Sequence, residues 1–281
     1  MKKRYTTILF MVGPTAVWLF AFLLVPLLYS VAMSFATKGL YGGIEWIFYP
    51  NNYLDIFKLT YLAVALRSLR LAWDTSLVCL LISYPFAYIL SKVSPKWKGL
   101  CMLLIMLPFW INGLIRLNGW ANILRDTGII NHVLEYLGII QKPLEMLYTE
   151  GAVLFGMVYA FFPFMVLPIH TSISKIDQNL LEAAQDLGAN RVRTFLRVVL
   201  PLTVPGIFAG VIQVFIPSLG AFYISDIMGG GNSTYLGNLI KNQFLSARNW
   251  PLGAAFSVVL IIFTLIVMKL YTKVGSMEDM A

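Results

Sequence analysis

Charge is scarce in this sequence. Of its 281 residues only 12% are Asp, Glu, Lys or Arg, about half the roughly 25% of an ordinary soluble domain. Histidine and cysteine are scarcer still, with two of each. His132 and His170 lie far apart, and no His/Cys/Asp/Glu group has metal-ligand spacing, so no metal site is expected. Cys79 and Cys101 both fall inside apolar runs and read as packing residues, with no disulfide inferred. There is no GxxxxGK[ST] phosphate loop. Gly229-Gly230-Gly231-Asn232-Ser233-Thr234 lacks the lysine, so any nucleotide hydrolysis belongs to another chain. No nucleophile–base constellation is present either, and the chain is not expected to be an enzyme or to bind a cofactor of its own.

What fills the sequence instead is hydrocarbon: 59% of the residues are hydrophobic. Several apolar runs exceed the roughly 18 residues that mark a membrane-spanning helix. A chain in lipid must satisfy its backbone internally, so the expected class is an all-α integral membrane protein. Six spans are expected in one transmembrane domain covering 1–281, at about 8–35, 67–92, 99–124, 152–173, 202–228 and 251–271. Met1-Lys2-Lys3-Arg4 followed by a hydrophobic run looks like a signal peptide. The run from Ile8 to about Phe35 is too long for one, and no small-residue cleavage pattern follows, so it reads as the first span. Residues 36–66 and 125–150 read as outer segments, the second containing a short amphipathic helix marked by Ile129, Val133, Tyr136 and Leu137.

The formal charge of +8 would raise nucleic-acid binding in a soluble protein. Here the cations are spread over loops and report topology. With the N-terminus inside, the inner segments hold Lys92, Lys96, Lys98, Lys175, Arg191, Arg193 and Arg197 beside the terminal lysines and arginine. The outer segments hold about half as many. By the positive-inside bias both termini and the 174–201 loop are expected in the cytoplasm.

That loop is the longest polar interruption in the second half of the chain. It reads as a helix, an elbow and a second helix. Ile176, Leu180, Ala184 and Leu187 form one apolar stripe; Val192, Phe195, Leu196 and Val199 form the next. Asp177 and Asn190 are expected N-caps and Gly188 the expected stop. Ala183 and Ala184 leave the first arm thin beside Glu182, which suits a helix gripped by a partner protein. A loop that merely lies on lipid headgroups has the same amphipathicity. The residues Glu182, Ala183, Ala184, Gly188, Ala189, Val198, Leu200 and Pro201 resemble the Glu-Ala-Ala loop of bacterial ABC-importer permeases. Val198 stands where that family more often has Ile. The resemblance implies the type I importer-permease architecture, with 174–201 as the coupling helix seated in an ATP-hydrolysing subunit.

Polar residues at membrane depth are the other informative group, because each is costly there. Asp74 lies four residues after Arg70 and can pair with it on one helical face. Arg116 lies in the third span with Asn112, Asn118 and Asn122, and can pair with Asp226. The asparagines can equally bridge helices or satisfy backbone opened by prolines. Phe222, Tyr223 and Asp226 share one face at the end of the fifth span. Trp110 follows Pro108 in the third, where an opened backbone can line a cavity. A carboxylate flanked by rings suits an organic cation, each ring contributing about 0.5–2 kcal/mol. An aromatic belt at the bilayer edge accounts for the same residues.

The segments LPFWINGLIRLNGW, FFPFMVLPIH, LEAAQDLGA, FYISDIMGG and NWPLGAA extend the resemblance over nearly the whole chain, to permeases of spermidine/putrescine importers. It implies a bacterial inner-membrane assembly of this chain, a paralogous permease, two ATPase subunits carrying ATP and Mg, and a periplasmic binding protein. It also implies a substrate-path role for Trp110, Tyr223 and Asp226, with Phe222 and Asn112 beside them. Two other classes stand against this reading: an ion-gradient-coupled secondary transporter using Asp74 or Asp226, and a non-transporting membrane scaffold.

Overall fold

A computed structural model describes residues 12–278, of which 272–278 in backbone only. Lys2, Lys3, Arg4, the expected start of the first span at Ile8 and the side chain of Lys273 lie outside the described residues. In chain order the helices are α1 (Val12–Ser34), α2 (Asn52–Asp55), α3 (Leu59–Lys92), α4 (Pro95–Met106), α5 (Gly113–Leu124) and α6 (Ile129–Tyr136). They continue with α7 (Glu150–Ser174), α8 (Gln178–Asp186), α9 (Arg191–Gly220), α10 (Phe222–Gly229), α11 (Leu236–Leu245) and α12 (Trp250–Glu278). Five of them, α1, α3, α7, α9 and α12, are long and apolar enough to cross a membrane. A sixth crossing is made if the bent pair Pro95–Trp110 and Gly113–Tyr136 counts as one.

Prolines shape these helices without ending most of them. Pro85, Pro163, Pro168, Pro205 and Pro217 all sit inside helices, which membrane helices tolerate when neighbours re-satisfy the freed carbonyls. Two wider, π-type turns, Phe20–Leu24 and Phe195–Val199, each end just before a proline, Pro26 and Pro201. In each the bond from the following residue reaches back five positions, Val25 N–H to Phe20 and Leu200 N–H to Phe195. The missing proline N–H leaves the ladder one donor short, and the extra residue absorbs the mismatch.

The residues form two compact units, the first running to Ala63 and taking in Leu239–Ile266, the second comprising Val64–Asn238 and the rest of α12. In the first unit a two-stranded hairpin, β1 (Thr37–Lys38) with β2 (Ile44–Glu45), follows α1. Asn52 fastens the chain behind it by donating from Nδ2 to the carbonyls of Ser34 (2.9 Å) and Ala36 (2.8 Å). Phe35 packs on Phe48 and Tyr53, and Lys58 pairs with Asp55 at 2.8 Å.

The second unit is built on α7 and α9. Two glycines of α9 let the pair approach closely: a Cβ at Gly206 would fall 2.7 Å from the Pro168 carbonyl oxygen, and one at Gly210 would fall 2.6 Å from Met165 Sδ. Close approach of this kind drives helix association in lipid, where burial of apolar surface contributes little. Met157, Met165, Val166 and Ile169 of α7, Val214 of α9, Ile224 and Met228 of α10, and Leu117 of α5 form the core. Tyr84 of α3 joins this core through its hydroxyl, 2.8 Å from Thr203 Oγ1. Cys79 is fully buried and Cys101 half-buried, both as free thiols.

Two spans expected as continuous runs are broken in the structure. The third, expected as one run over 99–124, is broken. After a 3-10 turn, Leu107–Trp110, the chain is extended at Ile111 and Asn112 before α5 begins, and the two halves meet at 90°. Pro108 removes a ladder donor, and Asn112 supplies a cap that makes a fresh helix start cheap. The fifth, expected over 202–228, stops at Gly220. Ala221 (φ −77°, ψ 65°) turns the chain, and Asp226 therefore sits on a separate short helix, α10. The second span begins earlier than expected, at Leu59 rather than Arg67.

Candidate functional site

The elbow, residues 177–201, is closed by its own side chains. Asp177 accepts a hydrogen bond from the Asn179 amide (3.0 Å) and starts α8. Gly188 ends it at φ +81°, a left-handed conformation open to glycine and strained for other residues. There the Gly188 N–H reaches the Gln185 carbonyl (2.8 Å) and the Ala189 N–H reaches that of Ala184 (3.0 Å), so the last carbonyls of α8 are satisfied. Two residues on, Asn190 accepts from the Arg193 amide (2.8 Å) and starts α9.

Tertiary burial contributes little to the first arm. Glu182, Ala183 and Gly188 are exposed, and Ala184 and Ala189 are half-buried. Leu187 is 89% exposed and Leu180 is half exposed. The apolar stripe of this capped helix is thus half covered at Ile176 and Ala184 and open at Leu180 and Leu187. Space around Gly188 is open, so its glycine answers to backbone angle and not to crowding.

The second site gathers at the break in the third span. Asn112 caps α5 by accepting from the Leu114 amide (2.8 Å), and Trp110, immediately before the break, is 81% exposed. A Cβ on Gly113 would lie 4.0 Å from Cε2 of Tyr223, which sets the Tyr223 ring beside the opened backbone. Phe222 stands at right angles to Tyr223, centroids 6.3 Å apart. The structure thus brings Asn112, Tyr223 and Phe222 to one neighbourhood, with Trp110 at its edge.

Asp226, half-buried on α10, accepts a 2.6 Å hydrogen bond from Nδ2 of Asn238. Asn238 is buried and fully used: its Oδ1 accepts from Ser225 Oγ (2.7 Å) and the Tyr235 amide (3.3 Å), and Nδ2 also donates to the Phe222 carbonyl (3.3 Å). One amide therefore ties down the first turn and the middle of α10. Sequence reading missed it. The available signal was an amide alone among Leu236, Leu239 and Ile240, and nothing local names its partners.

Arg116 is held by rings. Its guanidinium carbon stands 4.2 Å from the Phe109 centroid and 5.5 Å from that of Tyr159, and Nε and Nη1 are buried without hydrogen bonds. Two aromatic faces can stabilise a desolvated cation by about 2 kcal/mol or more each. Arg70 and Asp74 pair as the spacing predicts, at 3.6 Å on an exposed face of α3. His170 is buried, with Nε2 3.4 Å from Ser174 Oγ. Among the described residues no group of three His, Cys, Asp or Glu side chains is placed to hold a metal ion.

A bundle of kinked membrane helices, an exposed capped elbow and a polar break in one span define a membrane permease. Residues 3–275 match the family of binding-protein-dependent transport system inner membrane components, and the chain belongs to that family. It is 42% identical to the spermidine/putrescine transport system permease protein PotB of Haemophilus influenzae over 263 residues, 92% of this chain and 91% of that one. Against PotB of Escherichia coli K12 the identity is again 42%, over 91% of this chain and 93% of the relative. The inner membrane ABC transporter permease protein YdcU of the same organism is 30% identical over 88% of this chain and 79% of its own. In fold the chain resembles a bacterial ABC transporter that imports the acidic polysaccharide alginate, with TM-score 0.78 and 19% identity over 96% of both chains. The protein is thus a multi-pass inner-membrane transport component that works with a binding protein and an ATPase.

Proposed function

We propose that this chain is a permease subunit of an ATP-driven importer for polyamines, spermidine and putrescine, acting as one permease domain. The observation that carries the reading is the 42% identity to PotB proteins across nine-tenths of the chain. The local chemistry is compatible with it. A flexible polycation needs a carboxylate and ring faces; in this reading Tyr223, Phe222, Trp110 and Asn112 supply the surface beside the broken helix and Asp226 of α10 supplies the carboxylate. A single acid at an effective dielectric near 20 attracts a cation by about 4 kcal/mol at 4 Å before desolvation. That is weak enough for the cation to leave again, as a translocation path requires.

In this reading a paralogous permease completes the path, a periplasmic binding protein delivers the polyamine, and two ATPase subunits carrying ATP and Mg grip the elbow. Glu182 offers them a directional contact, Ala183 and Ala184 allow close approach, and Gly188 with Ala189 sets the elbow's angle. Both termini and the elbow face the cytoplasm, in line with the distribution of Lys and Arg. The test is uptake of labelled spermidine and putrescine by cells lacking their own polyamine importers and expressing this chain with its companions. Uptake that needs ATP and saturates with either polyamine supports the reading. Uptake that survives ATP depletion on an ion gradient overturns it. A cysteine at position 96 that reacts from outside intact cells with an impermeant maleimide overturns the orientation.

A further inference from the structure

At the end where α3 and α7 terminate, a cavity of about 800 Å³ opens between the α3–α4 turn and the elbow. Its walls carry three cations from two parts of the chain: Lys92 and Lys98 from the turn and Arg191 from the second arm. None of the three pairs with a carboxylate among the described residues. The Lys92 ammonium lies over the Tyr88 ring at 4.2 Å, and Lys98 donates to Ser174 Oγ at 3.1 Å. Glu182 is the one acid in the lining, so the cavity keeps a net positive charge. Thr194 lines it too, is 6% exposed, and its Oγ1 makes no hydrogen bond. A buried hydroxyl without a partner forgoes about 1–3 kcal/mol unless something supplies one.

We propose that this cavity binds the phosphate headgroup of an anionic phospholipid from the inner leaflet, tying the elbow to the membrane surface. The inference rests on the reading that the elbow is cytoplasmic. A phosphodiester offers the acceptor oxygens that two ammonium groups, a guanidinium and a threonine hydroxyl require. The location selects a lipid over free phosphate. Lys92 and Ser174 are the last residues of two membrane-length helices. The exposed Trp97 beside Lys98 marks headgroup depth, and the exposed Leu100, Leu103 and Leu104 continue below it along α4. Basic pockets between helices on the cytoplasmic side are suited to anionic headgroups. Because Lys92 and Lys98 belong to one part of the chain and Arg191 to the elbow, a bound headgroup bridges the two. The elbow then feels the charge of the surrounding lipid.

The test uses the whole importer complex, purified and placed in nanodiscs of phosphatidylcholine with or without phosphatidylglycerol, reading bound lipid by native mass spectrometry. Wild type should retain phosphatidylglycerol over phosphatidylcholine. Each cation removed, as in Lys92→Gln, Lys98→Gln or Arg191→Gln, should weaken retention about fivefold. Thr194→Val, which leaves charge unchanged, should weaken it a few-fold. Retention that is unaltered in the Lys92→Gln/Lys98→Gln variant overturns the proposal. So does inorganic phosphate displacing all bound lipid at those residues, which would make the ligand a soluble anion. Loss of the ATPase subunits from that variant, with lipid retained, would make the face a protein contact and overturn it as well. Because no polyamine enters the experiment, the lipid result stands or falls apart from the substrate.

Discussion

The elbow and the break in the third span are both interruptions of helix, yet they are held in opposite ways. In the elbow every hydrogen bond that sets the turn spans five residues or fewer, and distant packing begins only at Phe195, against the rings of Tyr84 and Tyr88. Asp177 reaches Asn179, Gly188 reaches Gln185, Ala189 reaches Ala184 and Asn190 reaches Arg193. At the break, Asn112 supplies one local cap, and the rest is distant in sequence. Tyr223 lies against Gly113, and Asn238 holds Asp226, Ser225 and the Phe222 carbonyl. A part that keeps its shape alone can move as a rigid handle. A part whose shape depends on two other helices changes whenever those helices shift, which suits a path that must open and close.

Asn238→Leu should break that contrast most severely. It removes the Asn238 bonds to the Asp226 carboxylate, the Ser225 hydroxyl, the Tyr235 amide and the Phe222 carbonyl, at about 0.5–1.5 kcal/mol each. The complex should lose thermal stability and uptake together, read by a melting curve and by transport. An unchanged melting temperature would show that the network around α10 is ornamental. Next in size is Gly188→Val. A β-branched residue at φ +81° costs about 1–3 kcal/mol, a roughly 5- to 150-fold loss of correctly shaped elbow. The open space around Gly188 predicts normal membrane insertion and an unchanged melting temperature beside the lost uptake. Normal uptake would remove the elbow from coupling.

How much of this the sequence disclosed follows the same division. Asp177, Gly188 and Asn190 are legible because cap chemistry lies within three residues of what it caps. The amphipathic helix α6 is legible from Ile129, Val133, Tyr136 and Leu137 by period alone; in the structure that apolar stripe is exposed. What that reading omits is Asn131 on the opposite face. It is fully buried, donating to the carbonyls of Arg125 and Leu144 and accepting from the Leu144 amide (2.9 Å). Pro108 announces a disturbance in the third span but not a 90° turn. The stop at Gly220 has no comparable local signal, because it depends on α11: a Cβ at Gly237 would fall 2.7 Å from the Gly220 carbonyl oxygen. Arg116 looks in sequence like half of an ion pair. Its ring partners, Phe109 and Tyr159, become neighbours only through packing.

Asp226→Asn should act at the break without touching the elbow. The amide is nearly the same size and can still accept from Asn238, so melting temperature and ATPase assembly should hold. Removing the charge should raise the apparent KM for polyamine on the order of tenfold, a fraction of the Coulombic attraction once desolvation is counted. Unchanged kinetics would leave Asp226 as a bracket for Asn238 and place the cation elsewhere.

The finest test uses the one device the two regions share. Asn190 and Asn112 each cap a helix at 2.8 Å, and each should lose about 1 kcal/mol on substitution by alanine and regain it with serine. The functional signatures should separate. Asn190→Ala frays the exposed first residues of α9, ahead of the buried Thr194 and of Phe195 packed on Tyr84 and Tyr88, so maximal uptake should fall a few-fold with KM unchanged. Asn112→Ala loosens a start beside Tyr223, in a helix whose Leu117 and Ala121 are buried in the core, so the backbone should shift less. What shift there is lies beside the proposed path and should appear in KM. If both variants lowered maximal uptake alike, the break and the elbow would be parts of one mechanical element, and the distinction between a self-held handle and a packed, yielding path would have to be given up.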